Sequence, residues 1–168
     1  KDNTEFTEGN VDLTVRLCDM IIKTGRKIPL IVSSSIQAGL VNPYGESKLG
    51  AELAVEALAE KTGNPVVIYR LPGVFGKWCL PNYNSVVATF CHNIANDLPI
   101  QINDAAASLN LVYIDDVVSE FVLMLSAVPA GLTRGEVAPV YGISLGKLAS
   151  QIQAFKNCRE SRVCERVG

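Results

Sequence analysis

Histidine occurs once in this chain, at position 92, so no multi-histidine metal centre can be assembled from its 168 residues. The five cysteines (Cys18, Cys79, Cys91, Cys158 and Cys164) are scattered and form no C-x-x-C pair. That excludes a zinc knuckle and a thioredoxin-type motif, and leaves small hydrophobes of a reducing compartment, buried in the core, as the reading. No apolar run reaches the ~18 residues of a membrane span, and the polar start KDNTEFTEGN has no signal-peptide core. No membrane partner is therefore expected, and the cytoplasm is the expected location. An excess of one charge is also missing: 15 Lys and Arg stand against 17 Asp and Glu. A nucleic-acid binder needs a basic face, so nucleic acid is not an expected partner. Thirteen glycines are present, yet no two are separated by a single residue. The fingerprint GxGxxG cannot be written, and no glycine turn offers a helix N-terminus to a pyrophosphate.

What is present is ample apolar material: 48% hydrophobic against 19% charged residues, enough for a buried core and too apolar for disorder. Two kinds of segment alternate. Residues 10–24 carry apolar side chains at helical spacing and stop at Gly25. Residues 28–33 form an apolar run that reads as a strand buried on both faces. Residues 44–61, rich in Ala, Leu, Glu and Lys, predict a helix closed by Gly63. A second buried strand is predicted over 66–70, a loop over 77–84 and a helix over 85–96. Short strands are expected at 99–102 and 110–114, a helix at 115–128 with acidic residues in its first turn, and a helix at 145–156 capped by Ser144. The charged tail from 158 is expected to fray. The alternation predicts an α/β fold with a mostly parallel, doubly wound sheet.

In such a sheet ligands bind beyond the carboxyl ends of the strands. Ser33-Ser34-Ser35 and Leu71-Pro72-Gly73 stand there, and between them lies Tyr44-Gly-Glu-Ser-Lys48. Tyr44 and Lys48 are four apart and share a helix face. An ammonium beside a phenol favours the phenolate, the tuning a tyrosine needs for proton transfer near neutral pH. A serine at the neighbouring strand end can hydrogen-bond the reacting oxygen. A bare YxxxK is commonly a surface pair; the serine-rich strand end before it and the Pro-Gly strand end after it make the combination specific.

With these residues the chain resembles the extended short-chain dehydrogenase/reductases acting on nucleotide sugars. The likeness runs from Asn10-Val11 through Ser33–Ser35, Asn42–Lys48, Arg70-Leu-Pro-Gly-Val-Phe-Gly76 and Tyr113-Ile-Asp-Asp-Val117. The stretch 75–95 is most similar to a subgroup of bacterial capsular-polysaccharide reductases that form UDP-2-acetamido-2,6-dideoxy-L-talose. The resemblance implies a Rossmann-like sheet with a small α/β substrate subdomain. It also implies NAD(P)H-dependent reduction of a 4-keto UDP-sugar, with NADP favoured over NAD, and a homodimer built on the helices at 10–24 and 44–61. By the same likeness Tyr44 is the catalytic acid, Lys48 holds the nicotinamide ribose and Ser35 orients the substrate carbonyl. Asn10, Ser33, Ser34, Pro72 and Gly73 join Tyr44 and Lys48 on the cofactor side, and Gln37, Asn84, Trp78 and Tyr83 meet the substrate. No metal ligand is implied.

The resemblance also implies division of labour along the chain. Residues 1–76 correspond to the C-terminal half of a dinucleotide-binding domain, 77–157 mainly to a substrate subdomain and 158–168 to a tail. The family's GxxGxxG turn is not found; Gly73 and Gly76 have its first spacing, but Cys79 follows. A fragment is expected that lacks roughly two βαβ units, at least ~60 residues, and that also lacks the C-terminal cupin domain carried by members of the subgroup. Such a fragment is not expected to run the reaction alone. Two alternatives stand beside the reductase: a nucleotide-sugar epimerase or dehydratase of the same family, and an inactive piece serving only packing or dimerisation. Phe90 is read with Trp78 and Tyr83 as cleft lining, His92 as structural, Asp115 and Asp116 as helix-start residues, and Ser144-Leu-Gly-Lys147 as a cap rather than a hydrolase SxxK.

Overall fold

The computed structural model describes residues 3–161. Helix α1 (Asn3–Phe6) runs through a π-helical turn (Thr7–Asp12) into α2 (Leu13–Thr24), which ends at left-handed Gly25. The helical stretch thus begins before residue 10, in polar turns whose exposed residues carry no apolar period. Strand β1 (Leu30–Ser35) leads through a 3-10 turn (Ile36–Gly39) to α3 (Pro43–Thr62). Asn42 caps α3 by accepting the Gly45 N–H at 2.8 Å, Pro43 occupies the first turn, and left-handed Gly63 closes it with its N–H on the Ala59 carbonyl. β2 (Val66–Leu71), β3 (Gly73–Phe75), α4 (Val86–Ala95), β4 (Ser108–Tyr113), α5 (Ile114–Ser126), β5 (Leu132–Gly135), β6 (Tyr141–Ser144) and α6 (Leu145–Ser161) follow.

The chain divides into two compact units, Lys1–Pro72 with Val117–Val137, and Gly73–Asp116 with Ala138–Gly168. A linear division near residue 76 misses the return of 117–137 to the first unit, which β5 makes by pairing with β2. The first unit holds an all-parallel sheet in the order β1-β2-β5, with Ser34 opposite Arg70 and Ile68 opposite Arg134. Successive strand residues face opposite sides. Val66 and Ile68 pack on Cys18 and Ile21 of α2 and on Val55 and Leu58 of α3. Tyr69 turns the other way, its ring 5.0 Å from Phe121 of α5 and its hydroxyl donating to Glu120 at 2.7 Å. Burial, then the Glu120 carboxylate, push its pKa up to about 12. Helices on both faces of a parallel sheet make this the doubly wound α/β arrangement expected from the alternation.

In the second unit β3 runs parallel and β6 antiparallel to β4. Phe90 and Ile94 of α4 and Leu148 and Ala149 of α6 form its core, joined by Ile100 and Ile102. The segment 99–102 is not a strand: Pro99 gives its carbonyl to the Asn93 amide at 2.9 Å, and the two isoleucines pack without pairing. The loop reading of 77–84 and the Ser144 cap, which accepts the Lys147 N–H at 3.3 Å, match the structure. Helix α6 runs past Cys158 to Ser161, so the tail does not begin at 158; residues 162–168, with Cys164, lie outside the described residues. Of the described cysteines only Cys18 is buried, and Cys91 is exposed. Among the described residues no helix is long and apolar enough to cross a membrane.

Candidate active site

Helix α3 is the platform. Tyr44 lies in its first turn and Lys48 one turn on. That turn sits hard against the preceding 3-10 turn at Gly45. A Cβ there would stand 2.3 Å from the Gln37 carbonyl oxygen and 2.6 Å from that of Leu40. The Phe6 ring meets the Tyr44 ring edge-on at 5.5 Å between centroids. Lys48 Nζ stands 5.8 Å from the Tyr44 centroid and donates to the Ser33 carbonyl at 3.4 Å. Tyr44, Lys48 and the carboxyl end of β1 are therefore brought together.

Asn10 joins them through an intermediary absent from the sequence reading. In the π-helical turn its carbonyl accepts the Thr14 hydroxyl at 2.6 Å, and its Nδ2 donates to Ser47 Oγ at 2.9 Å. Buried Ser47 in turn donates to the Tyr44 carbonyl at 2.8 Å. Single π-helical turns are frequent at functional sites, and from this one Asn10 reaches Ser47 of α3.

The three serines of β1 have three different environments. Ser33 offers its carbonyl to Lys48. Ser34 is buried and donates its hydroxyl in a short bond to Glu52. Ser35 accepts the Gln37 N–H at 3.2 Å and caps the 3-10 turn; Gln37 itself is exposed.

Glu52 is wholly buried, one turn beyond Lys48 on α3. It accepts Arg70 Nε at 2.9 Å, Arg70 Nη2 at 2.7 Å and Arg134 Nη1 at 2.9 Å. Arg134 also reaches Glu56 at 2.5 Å. Burial alone pushes the Glu52 carboxyl up, but the bonds from Arg70, Ser34 and Arg134 outweigh it and hold the pKa down at about 2. Sequence reasoning missed this network, although the i+4 and i+8 spacing of Glu52 from Lys48 and Tyr44 placed it on their face.

A cleft of about 240 Å³ opens among Asn10, Thr14, Ser33, Ser34 and Lys48. It is smaller than the ~300–1,000 Å³ of clefts that enclose a drug-sized ligand. Leu17, Leu30, Ile31, Val32, Ala51 and Val55 share its lining with those polar groups.

Other candidates belong to the second unit or its border. Trp78 (96% exposed, φ 66°), Tyr83 and Asn84 lie on the exposed 77–84 loop. Pro72 ends the first unit's segment and Gly73 opens the second's. Gly73 has a packing reason of its own: a Cβ there would stand 2.9 Å from Leu111 Cδ2. Phe90 is core rather than cleft lining, at 3% exposure. His92 is exposed on α4, and Asp115, in the first turn of α5, pairs with Lys77 at 2.6 Å.

Residues 1–138 match the model of the NAD-dependent epimerase/dehydratase family. The chain belongs to that family. It is 51% identical over 164 residues to the UDP-2-acetamido-2,6-beta-L-arabino-hexul-4-ose reductase of Pseudomonas aeruginosa, covering 98% of this chain and 44% of the relative. Among solved structures, the capsular polysaccharide assembling protein CapF of Staphylococcus aureus superposes with a TM-score of 0.80 at 42% identity, over 89% of this chain and 42% of that one. A UDP-glucose 4-epimerase of Thermotoga maritima superposes at 0.81 with 22% identity, over 93% of this chain and 56% of that one, a likeness of fold. The chain thus spans less than half the length of the reductase and of CapF.

Proposed function

We propose that the whole protein reduces a 4-keto UDP-sugar, a UDP-N-acetyl-dideoxyhexulose, in the synthesis of a capsular or surface polysaccharide. The observation carrying this reading is the joint placement of Tyr44, Lys48 and the serine-ended strand β1. The 51% identity to a named hexulose reductase supports its direction. NADPH is the cofactor favoured, with NADH the comparison. When bound, the nicotinamide supplies the hydride. Tyr44 gives its phenolic proton to the sugar oxygen, and Lys48 places its ammonium beside the phenolate that results and beside the cofactor ribose. Ser35 leaves its bond with the Gln37 N–H unchanged while its own hydrogen turns to the substrate carbonyl. Gln37, Trp78, Tyr83 and Asn84 form the sugar-nucleotide side. Asn10, Ser33, Pro72 and Gly73 border the nicotinamide end, and the first and second units take the dinucleotide and substrate roles respectively. The protein acts as a cytoplasmic homodimer.

The test is Tyr44→Phe in the whole protein, following NADPH oxidation with the keto sugar. Loss of the proton donor is expected to cut kcat by about 10²–10⁴-fold; turnover near that of the unaltered protein overturns the reading. The family match also supports an epimerase or dehydratase, which would release product without net consumption of NADPH.

A further inference from the structure

The buried carboxylate of Glu52 ties one helix to all three strands of the first unit's sheet. Ser34 comes from β1, Arg70 from β2 and Arg134 from β5, and each donates to it. Ser34 and Arg70 are register partners, so the carboxylate spans neighbouring strands at one level of the sheet, near their carboxyl ends. A charged side chain at 0% exposure is costly unless its lone pairs are satisfied, and here every donor is charged or a hydroxyl. An apolar pair would pack this space without the cost of burying charge, so the network's geometry is its distinctive product.

Position decides what that geometry controls. Along α3 the residues Tyr44, Lys48 and Glu52 repeat every four, one stripe on one helix. Along β1, Ser34 lies between Ser33, whose carbonyl takes Lys48, and Ser35, the proposed carbonyl-orienting serine. A shift of β1 along α3 would therefore move the Lys48 anchor and Ser35 together relative to Tyr44. The Lys48–Ser33 bond, at 3.4 Å, is too long to prevent such a shift alone. Glu52 adds a buried, charge-assisted connection between the two elements at that level.

We infer that Glu52 is a positioning residue: through Ser34 it fixes the carboxyl end of β1 against the turn of α3 that bears Tyr44 and Lys48. This inference rests on the reductase reading above. It touches neither cofactor nor sugar, and its effect reaches the reaction through the spacing of Ser35 and Tyr44. Displacements of about 1 Å in such a constellation cost as much as 10²-fold in rate.

The test uses the whole protein with Ser34→Ala, which removes the Ser34 bond and leaves the bonds from both arginines to Glu52. Glu52→Gln is the second variant, keeping the reach of the side chain without its charge. For Ser34→Ala, kcat is expected to fall about tenfold with KM for the sugar nearly unchanged. The deuterium isotope effect on kcat with C4-deuterated NADPH is expected to rise, because the chemical step becomes slower than product release. Amide exchange is expected to accelerate locally at residues 33–35 and 44–48, with 66–69 keeping its protection. A role in stability alone predicts uniform acceleration of exchange and an unchanged isotope effect, and either result overturns the inference, as does an unchanged kcat. If Glu52→Gln is too unstable to purify, Ser34→Ala decides by itself. Failure of the reductase reading is separable, since the unaltered protein would then show no NADPH oxidation with the keto sugar, while local exchange at 33–35 still reports on the tether.

Discussion

Asn10 and Ser47, thirty-seven residues apart, are joined by a 2.9 Å hydrogen bond that ties the π-helical turn to the first turns of α3. Ser47 passes the contact on to the Tyr44 carbonyl. Asn10→Ala leaves the buried Ser47 hydroxyl with one partner fewer. A loss of about 1 kcal/mol in unfolding free energy is expected, measured by urea denaturation, together with greater mobility of Tyr44. A variant as stable as the original would show that the bond does not hold the turn in place.

Gly45→Ala is the sharper test of the turn that bears Tyr44. The added methyl would lie 2.3 Å and 2.6 Å from two backbone carbonyl oxygens, which cannot rotate away as a side chain can. The 3-10 turn must move off the helix, at a cost of about 1–3 kcal/mol in stability. Because Gly45 adjoins Tyr44, activity is expected to fall further than the melting temperature alone would suggest. Gly39→Ala is the control, since nothing lies within 4 Å of its Cβ position.

The sequence showed the doubly wound fold because its signals are local: apolar runs for β1 and β2, caps and glycines for α2 and α3. Tyr44 and Lys48 were legible for the same reason, four residues apart on one helix. Strands β3, β5 and β6, of three or four residues each, were not. Their identity comes from partners distant in the chain, as when β5 crosses back to β2. The bond of Ser34 to Glu52 was not legible because a run of three serines does not reveal which one faces inward. Its partner Glu52, and the arginines at 70 and 134, meet only through the sheet's register, which no local pattern encodes.

Acid should expose that network. Glu52 titrates at about 2 in the fold against an ordinary 4.5. A lowered carboxylate pKa gives stability that is complete above about pH 4.5 and is lost as pH falls through about 2. The gap corresponds to at most about 3 kcal/mol, since the half-exposed arginines are partly screened by solvent. Unfolding free energy measured from pH 5 to pH 2 is expected to fall, and Glu52→Gln is expected to flatten the slope across that window. An unchanged slope would mean that Glu52 is not the group whose protonation loosens the sheet.

Apolar side chains left outside the fold bear on assembly. Leu13, Leu17 and Met20 repeat at i, i+4 and i+7 on α2 and are each at least 44% exposed, while Leu49 and Leu53 repeat at i+4 on α3, Leu53 at 56%. Water-facing leucine stripes on two helices of one unit form the kind of patch that marks an interaction surface. In the proposed homodimer these stripes meet their counterparts across a two-fold axis, an isologous contact in which each substitution acts twice. Met20→Glu with Leu53→Glu is expected to shift the whole protein from dimer to monomer in sedimentation velocity, with its thermal unfolding little changed when measured at low concentration. Each added glutamate would face a copy of itself or an apolar stripe, and burial of an unpaired carboxylate is costly. A dimer that persists in the double variant would place the interface elsewhere on the protein.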